Sequence, residues 1–277
     1  MKPKKTITLE FVVLVLLASV WFVICLFPLW MIFSGTFSSD STNLTQAYWP
    51  NDFANGLSKI KYALNTINVW RATLDTFIYT MIALAGMLVI CSLAAYEFTF
   101  FRFPLKKFFF GLMMGTMMLP LTLYVIPLYR MVFKLGLADT YIGVALPIMI
   151  SPLSVFIMKQ FLEDLPLSFI ESARIDGAGH FVIFGRIVFP LMRNGIITAV
   201  VLLFLKAWSS FLWPSLVTAQ NIKPISVTIA NLFNPQFYVD TRVRFGAMLL
   251  AMIPPLALYL IFQRFVIKGI SMSGVKG

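Results

Sequence analysis

The sequence predicts an all-α membrane protein: six transmembrane helices with a cytoplasmic helix-turn-helix loop between helices 4 and 5. Three observations predict it. Sixty per cent of the 277 residues are hydrophobic and 12% are charged, whereas a soluble domain carries about a quarter charged residues because its surface faces water. Six apolar runs are each long enough to cross a hydrocarbon core of ~30 Å as a helix. The basic residues behind the net charge of +11 gather at the ends of those runs, where lipid headgroups sit, and form no basic face. A nucleic-acid partner is therefore not expected, and the bilayer is.

The first run, Phe11–Phe33, follows Lys2, Lys4 and Lys5. It is uncharged, longer than a signal-peptide core and not followed by A-x-A, so it reads as a permanent span. The next are Thr73–Ala95, Phe108–Leu128 and Tyr141–Met158, the last being the shortest. Ile196–Leu216 and Gly246–Ile267 complete the set. Pro28, Pro120, Pro127, Pro147, Pro152, Pro254 and Pro255 lie in these runs, each able to kink a helix where neighbours satisfy the freed backbone. No internal repeat or soluble segment appears, so residues 1–277 read as one membrane domain.

Orientation follows from Lys and Arg. With the N-terminus inside, thirteen fall in inside segments and eight (Lys59, Lys61, Arg71, Arg130, Lys134, Lys223, Arg242, Arg244) outside, which places both termini in the cytoplasm. Tyr48, Trp49 and Trp70 then sit in or at the edge of the first outside loop, as interfacial aromatics do. Cys25 and Cys91 both lie inside apolar runs, and His180 is the single histidine. Neither a disulfide framework nor an HExxH zinc site can be built from these.

The most informative segment is the inside loop at about 164–190. Asp164 can cap a helix that Pro166 opens, and Gly177 can supply the left-handed residue that ends it. A second helix should then carry Phe181, Phe184 and Val188 along one side until Pro190 stops it. Apolar residues at that surface need a protein partner or must pack on their own bundle.

These residues resemble the inner-membrane permeases of binding-protein-dependent ABC importers, whose signature is Glu-Ala-Ala, three residues, Gly, nine residues, Ile, one residue, Leu-Pro. This chain has Glu171, Ser172 and Ala173, then Gly177, then Ile187 and Phe189-Pro190, with each spacing kept. It departs at Ser172 and Phe189. The resemblance extends to the maltose-type carbohydrate permeases through Ala94-Ala95-Tyr96, Arg102-Phe103, Leu119-Pro120, Trp208 and the tail Gly274, Val275, Lys276, Gly277.

The resemblance implies a permease of the bacterial inner membrane that pairs with a second, different permease. It also implies two cytoplasmic ATPase subunits, which bind the ATP and Mg, and an extracytoplasmic solute-binding protein. Glu171, Arg174 and Asp176 would be charged contacts to an ATPase, Phe181 and Phe184 apolar anchors, and the tail would reach toward the ATPase pair. The chain has no G-x-x-x-x-G-K-[ST], so it cannot cradle nucleotide phosphates itself; it is not an enzyme on this reading and holds no cofactor or metal.

Lys206 is the lone Lys or Arg deep within a run, about 16 Å along the helix from Gly195. A charge at that depth is a functional candidate. With Trp208, Ser209, Ser210 and Trp213 around it, and Tyr124 in the third span, it suits a sugar, with a lean toward an acidic one. Thr122, Ser151 and Ser154 are further candidates. The structural alternative is that Lys206 bonds a carbonyl freed by a kink, and that Glu171 and Arg174 merely pair with each other.

Two other classes make demands that the sequence does not meet. A gradient-driven secondary transporter predicts matching halves and intramembrane carboxylates, yet Asp75 and Glu97 fall at span ends. A membrane enzyme needs a catalytic cluster at one surface, and none is present in the sequence.

Overall fold

The computed structural model describes residues 9–39, 49–236 and 238–274, with the side chains of the last helix as far as Phe265. Lys2, Lys4, Lys5, Tyr48 and the tail residues Val275, Lys276 and Gly277 lie outside the described residues; Gly274 is the last residue of a helix. In chain order the helices are α1 (Leu9–Thr36), α2 (Phe53–Asn65), α3 (Val69–Phe100), α4 (Lys106–Gly115) and α5 (Leu121–Lys134). There follow α6 (Tyr141–Met149), α7 (Pro152–Glu163), α8 (Ser168–Ile175), α9 (His180–Leu191) and α10 (Arg193–Trp208). The series ends with α11 (Leu212–Val217), α12 (Ile225–Asn231) and α13 (Thr241–Gly274).

Three of these, α1, α3 and Thr241–Phe265 of α13, are long and apolar enough to cross a membrane unbroken. Three further helix pairs are long and apolar enough only when taken together, Lys106–Met118 with α5, α6 with α7, and α9 with α10, bent by 101°, 46° and 74°; counting each pair as one span gives up to six. The third and fourth spans are therefore not the single helices that the apolar runs predict, and the break of the last pair, at Met192, lies ahead of the predicted fifth span. The cause is local at two of the breaks. Leu119 is extended (φ −83°, ψ 116°) before Pro120, and Ser151 is extended (φ −117°, ψ 102°) before Pro152. The proline Cδ clashes with a helical residue ahead of it and drives that residue to extended backbone. The hydroxyl of Ser151 then caps α7 by accepting the Ser154 N–H at 3.2 Å. Pro28 and Pro127, by contrast, lie inside unbroken helices.

The fifth span also ends early. Helix α10 stops at Trp208, and the C-terminal part of the predicted Ile196–Leu216 span folds as the separate helix α11.

The chain forms two compact units. In the first, residues 1–70 and 229–252, Gly35 lies under the ring of Phe245 and Gly56 under that of Phe37. Asp52 caps α2 by accepting the Asn55 N–H at 3.2 Å. Asp240 opens α13, accepts the Arg242 N–H at 2.9 Å, and is paired with Lys59 at 2.7 Å.

In the second, residues 71–228 and 253–277, the core joins Tyr79, Ala83, Val132, Val144, Ala145, Trp213 and Val217. The Trp213 indole donates to the Val144 carbonyl at 3.2 Å. The Tyr79 hydroxyl donates to the Ala207 carbonyl at 3.3 Å, one of the carbonyls that a helix end leaves without an intrahelical partner.

Candidate functional site

Two places in the second unit carry the residues singled out from the sequence. The first is the α8–α9 loop. Helix α8 begins with no side-chain cap at Leu167, because Asp164 instead closes α7 as its C-cap. Pro166 does open the first turn, its carbonyl accepting the Phe169 N–H at 3.3 Å. Ile170 and Ala173 are the buried side of α8, while Glu171, Ser172, Arg174 and Asp176 face outward. Glu171 and Arg174 form no ion pair with each other among the described residues. They line one cavity of about 440 Å³ with Arg102, Ile170 and His180.

Gly177 ends the helix at φ +80°. The Ala178 N–H reaches the Ala173 carbonyl at 2.9 Å, and the Gly177 N–H reaches the Arg174 carbonyl at 3.0 Å. This pair of bonds is the Schellman arrangement, which satisfies the last carbonyls of a helix through a left-handed residue.

The second helix departs from its expected periodicity. Phe184–Val188 is wound as a π-helix, and a wider turn rotates the faces. Pro190 has no N–H to return to the Arg186 carbonyl, which favours that slip. Ile183 and Val188 are fully buried, Phe184 and Ile187 are half-buried, and Phe181 points outward. The helix runs past Pro190 to Leu191 and breaks at Met192 (ψ 14°). Ile175 and Phe181, at either side of the turn, are 86% and 85% exposed. His180 packs on the Phe101 ring with centroids 4.8 Å apart.

The second place is a cavity of about 500 Å³ at the breaks of the bent spans. Thr116 and Leu119 reach it from the first break, Ser151 and Ser154 from the second, Tyr124 from α5 and Lys206 from the last turn of α10. Trp208, Ser209 and Ser210 do not line it. Trp208 is buried and stacked on Phe204, with centroids 5.4 Å apart and planes at 15°. Ser209 donates to the Leu205 carbonyl at 2.8 Å, and the Ser210 carbonyl accepts from Ser226 at 2.6 Å. Trp213 belongs to the core. The aromatic residues near Lys206 in sequence thus pack the bundle, and the polar wall comes from other helices.

Reading the sequence also missed two carboxylates. Asp139, itself at φ 55°, accepts the backbone N–H groups of Ala219, Gln220, Asn221 and Ile222 at 2.9, 3.0, 2.9 and 3.2 Å. Asp75, expected only as a span end, is buried and accepts the Tyr141 hydroxyl at 2.8 Å and the Lys223 N–H at 2.9 Å. The available signal was an acidic residue after Gly136 in a short turn, a setting in which Asp tolerates left-handed backbone.

The fold and these two places define a multi-pass membrane permease. Residues 86–272 match the family described as "Binding-protein-dependent transport system inner membrane component", and the chain belongs to that family of inner-membrane proteins. It is 35% identical over 208 residues to the sn-glycerol-3-phosphate transport system permease protein UgpE of Rhizobium meliloti (strain 1021), covering 74% of this chain and 73% of that one. The protein of the same name from Shigella flexneri serotype 5b is 31% identical over 210 residues, covering 74% of each chain. A solved chain of a bacterial ABC transporter involved in import of the acidic polysaccharide alginate superposes with a TM-score of 0.81, over 95% of this chain and 99% of that chain, at 21% identity. It shows the shared fold.

Proposed function

We propose that this chain is one permease subunit of a bacterial ATP-driven importer for a carbohydrate or sugar derivative. It lines its share of the pathway with the Lys206 cavity and takes its motion from ATPase subunits through residues 171–190. One observation carries the reading: the Glu171–Pro190 segment keeps the family spacing and turns at Gly177 with Ile175 and Phe181 left uncovered. Apolar side chains so exposed at a helix turn suit a protein cleft. ATP closure of an ATPase pair would draw the docked loop inward and, through the single bent residue Met192, swing α10. Such a movement is a rigid-body rearrangement driven at an interface.

The partners on this reading are a second, different permease, two ATPase subunits holding ATP and Mg, and an extracytoplasmic binding protein. Both termini are cytoplasmic, with the 274–277 tail on the ATPase side. The similar proteins, one a permease for sn-glycerol-3-phosphate and one from a transporter importing an acidic polysaccharide, support a sugar-derived solute.

The test is reconstitution of the complex in proteoliposomes with the sugar that the system's binding protein retains in a thermal-shift screen. ATP-dependent uptake that needs all subunits, with no ATP hydrolysis by this chain alone, is the expected result. Robust hydrolysis by the isolated chain, or uptake that persists without the ATPases, would overturn it. A reporter fused after Gly277 and active only outside the membrane would overturn the topology.

A further inference from the structure

The cavity at the broken spans has one charged side chain on its wall, the Lys206 ammonium, and no carboxylate among its lining residues. Among the described residues Lys206 has no ion-pair or hydrogen-bond partner. The Tyr124 hydroxyl, on the same wall, likewise has none. Of the other hydroxyls, Thr116 donates to the Met113 carbonyl at 2.6 Å and Ser154 donates to Ser151 at 2.9 Å.

A lysine whose role was to close off α10 would serve only the half negative charge of that helix end. The ammonium also lines the cavity, where no carboxylate offsets it. Lys206 is exposed on the cavity wall, where its ammonium is open to a charge-assisted bond with an anion. The first turn of α7, Pro152 to Ser154, borders the same space, and the positive end of its dipole adds to the potential with the same sign.

We propose that Lys206 and Tyr124 form an anion-recognition site that selects solutes bearing a carboxylate or phosphate group. The ammonium supplies the charge-assisted bond, and the phenol donates a second hydrogen bond to the same group. A neutral sugar of equal size would leave both donors without a strong acceptor. This rests on the reading above that the cavity belongs to the translocation pathway.

The test reads the potential in the cavity without needing the natural solute. In the assembled complex with exposed Cys25 replaced by Ala, Met117→Cys places a thiol on the cavity wall. Modification rates are measured with the anionic 2-sulfonatoethyl and the cationic 2-(trimethylammonio)ethyl methanethiosulfonates. Lys206→Gln is expected to lower the anionic-to-cationic rate ratio by about tenfold, and Lys206→Arg to restore it. A ratio that Lys206→Gln leaves unchanged overturns the proposal.

If Lys206→Gln does not assemble, protection in the Met117→Cys complex decides. Glucuronate is expected to slow modification more than glucose at equal concentration, and equal or absent protection overturns the proposal. Uptake of the sugar retained by the binding protein is then measured on fully modified complex. Uptake that survives overturns the pathway reading itself, and the proposal with it. Blocked uptake with an unmoved rate ratio overturns the anion site alone.

Discussion

The Asp139 carboxylate accepts the backbone N–H of Asn221 at 2.9 Å, across 82 residues of chain, and the N–H groups of Ala219, Gln220 and Ile222 converge on the same two oxygens. The turn after α5 thereby holds the segment that follows α11. Asp75 continues the grip one residue on, at the Lys223 N–H, and the Thr76 hydroxyl does so at Ile225, accepting its N–H at 2.8 Å. The chain ahead of α12 therefore departs from an anchored base.

Asp139→Ala removes the acceptor from four backbone donors. Hydrogen bonds to a charged group contribute roughly 1.5–3 kcal/mol each where water cannot replace them, and these four are partly exposed. A total loss of about 3 kcal/mol is expected. The variant should show a lower thermal midpoint in detergent and faster proteinase K cleavage between Thr218 and Lys223. Wild-type cleavage kinetics would remove Asp139 as the anchor.

The same grip has a pH signature. Burial pushes the Asp139 carboxyl up, but four backbone N–H bonds outweigh it and hold the group below its ordinary value of 3.8. A depressed folded pKa makes the unfolded form bind protons first, so the stabilisation is complete above the ordinary carboxylate range and fades as pH falls through the lower folded value. The thermal midpoint of wild type should fall more steeply between pH 5 and pH 3, taken as an order-of-magnitude window, than that of Asp139→Asn.

Asp240 answers to Lys59 in the same manner. Burial raises its carboxyl, and the Lys59 and Arg242 partners more than offset this, leaving it at about 2. Lys59→Met should move that value back up toward 3.8, so the stability lost on acidification disappears at higher pH than in wild type. Acid titration of protease resistance in the segment before α13 would check it, and an unshifted midpoint would deny the pair its role.

Gly177 is constrained by its backbone alone, since a Cβ there would meet nothing within 4 Å. Holding φ +80° costs an L side chain roughly 1–2 kcal/mol. Gly177→Val should insert normally yet lose ATP-coupled uptake. Gly179→Ala is the control: Gly179 has extended backbone (φ −71°, ψ 161°) and equal space, and should transport as wild type. Normal coupling in Gly177→Val would place the working turn elsewhere.

Gly143 makes the opposite case, because its constraint is space. A Cβ there would run into the Leu137 carbonyl of the turn between α5 and α6, and backbone does not give way as a flexible side chain does. Overpacking of this type costs about 1–3 kcal/mol. Gly143→Ala should lower the yield of folded protein, and full yield with an unchanged thermal midpoint would show that the turn relaxes freely.

What was legible in the sequence was whatever depends on neighbouring residues. Gly177 announced its left-handed turn, Pro120 and Pro152 lay where two spans break, and Lys206 stood out as a charge in an apolar run. The break after Trp208 and the π-turn at Phe184–Val188 were not legible, since both depend on how hydrogen bonds are redistributed around them. Trp208 and Trp213 read as partners of Lys206 because they are near it in sequence. One stacks on Phe204 and the other bonds Val144, so packing turned both away from the cavity.

The sequence by itself determined that the chain lives in a bilayer, how many apolar runs it has, and which loop carries the family spacing, because hydrophobicity and chain stiffness act over a few residues. Only the tertiary structure decided which polar groups meet. Thr116 and Ser151 at two breaks meet Tyr124 of α5 and Lys206 of α10 to wall one cavity, and Asp139 finds four amides some eighty residues away. A buried hydrogen bond or a cavity wall depends on distance in space, and the closing of the chain on itself, through bends of 101°, 46° and 74°, sets that distance.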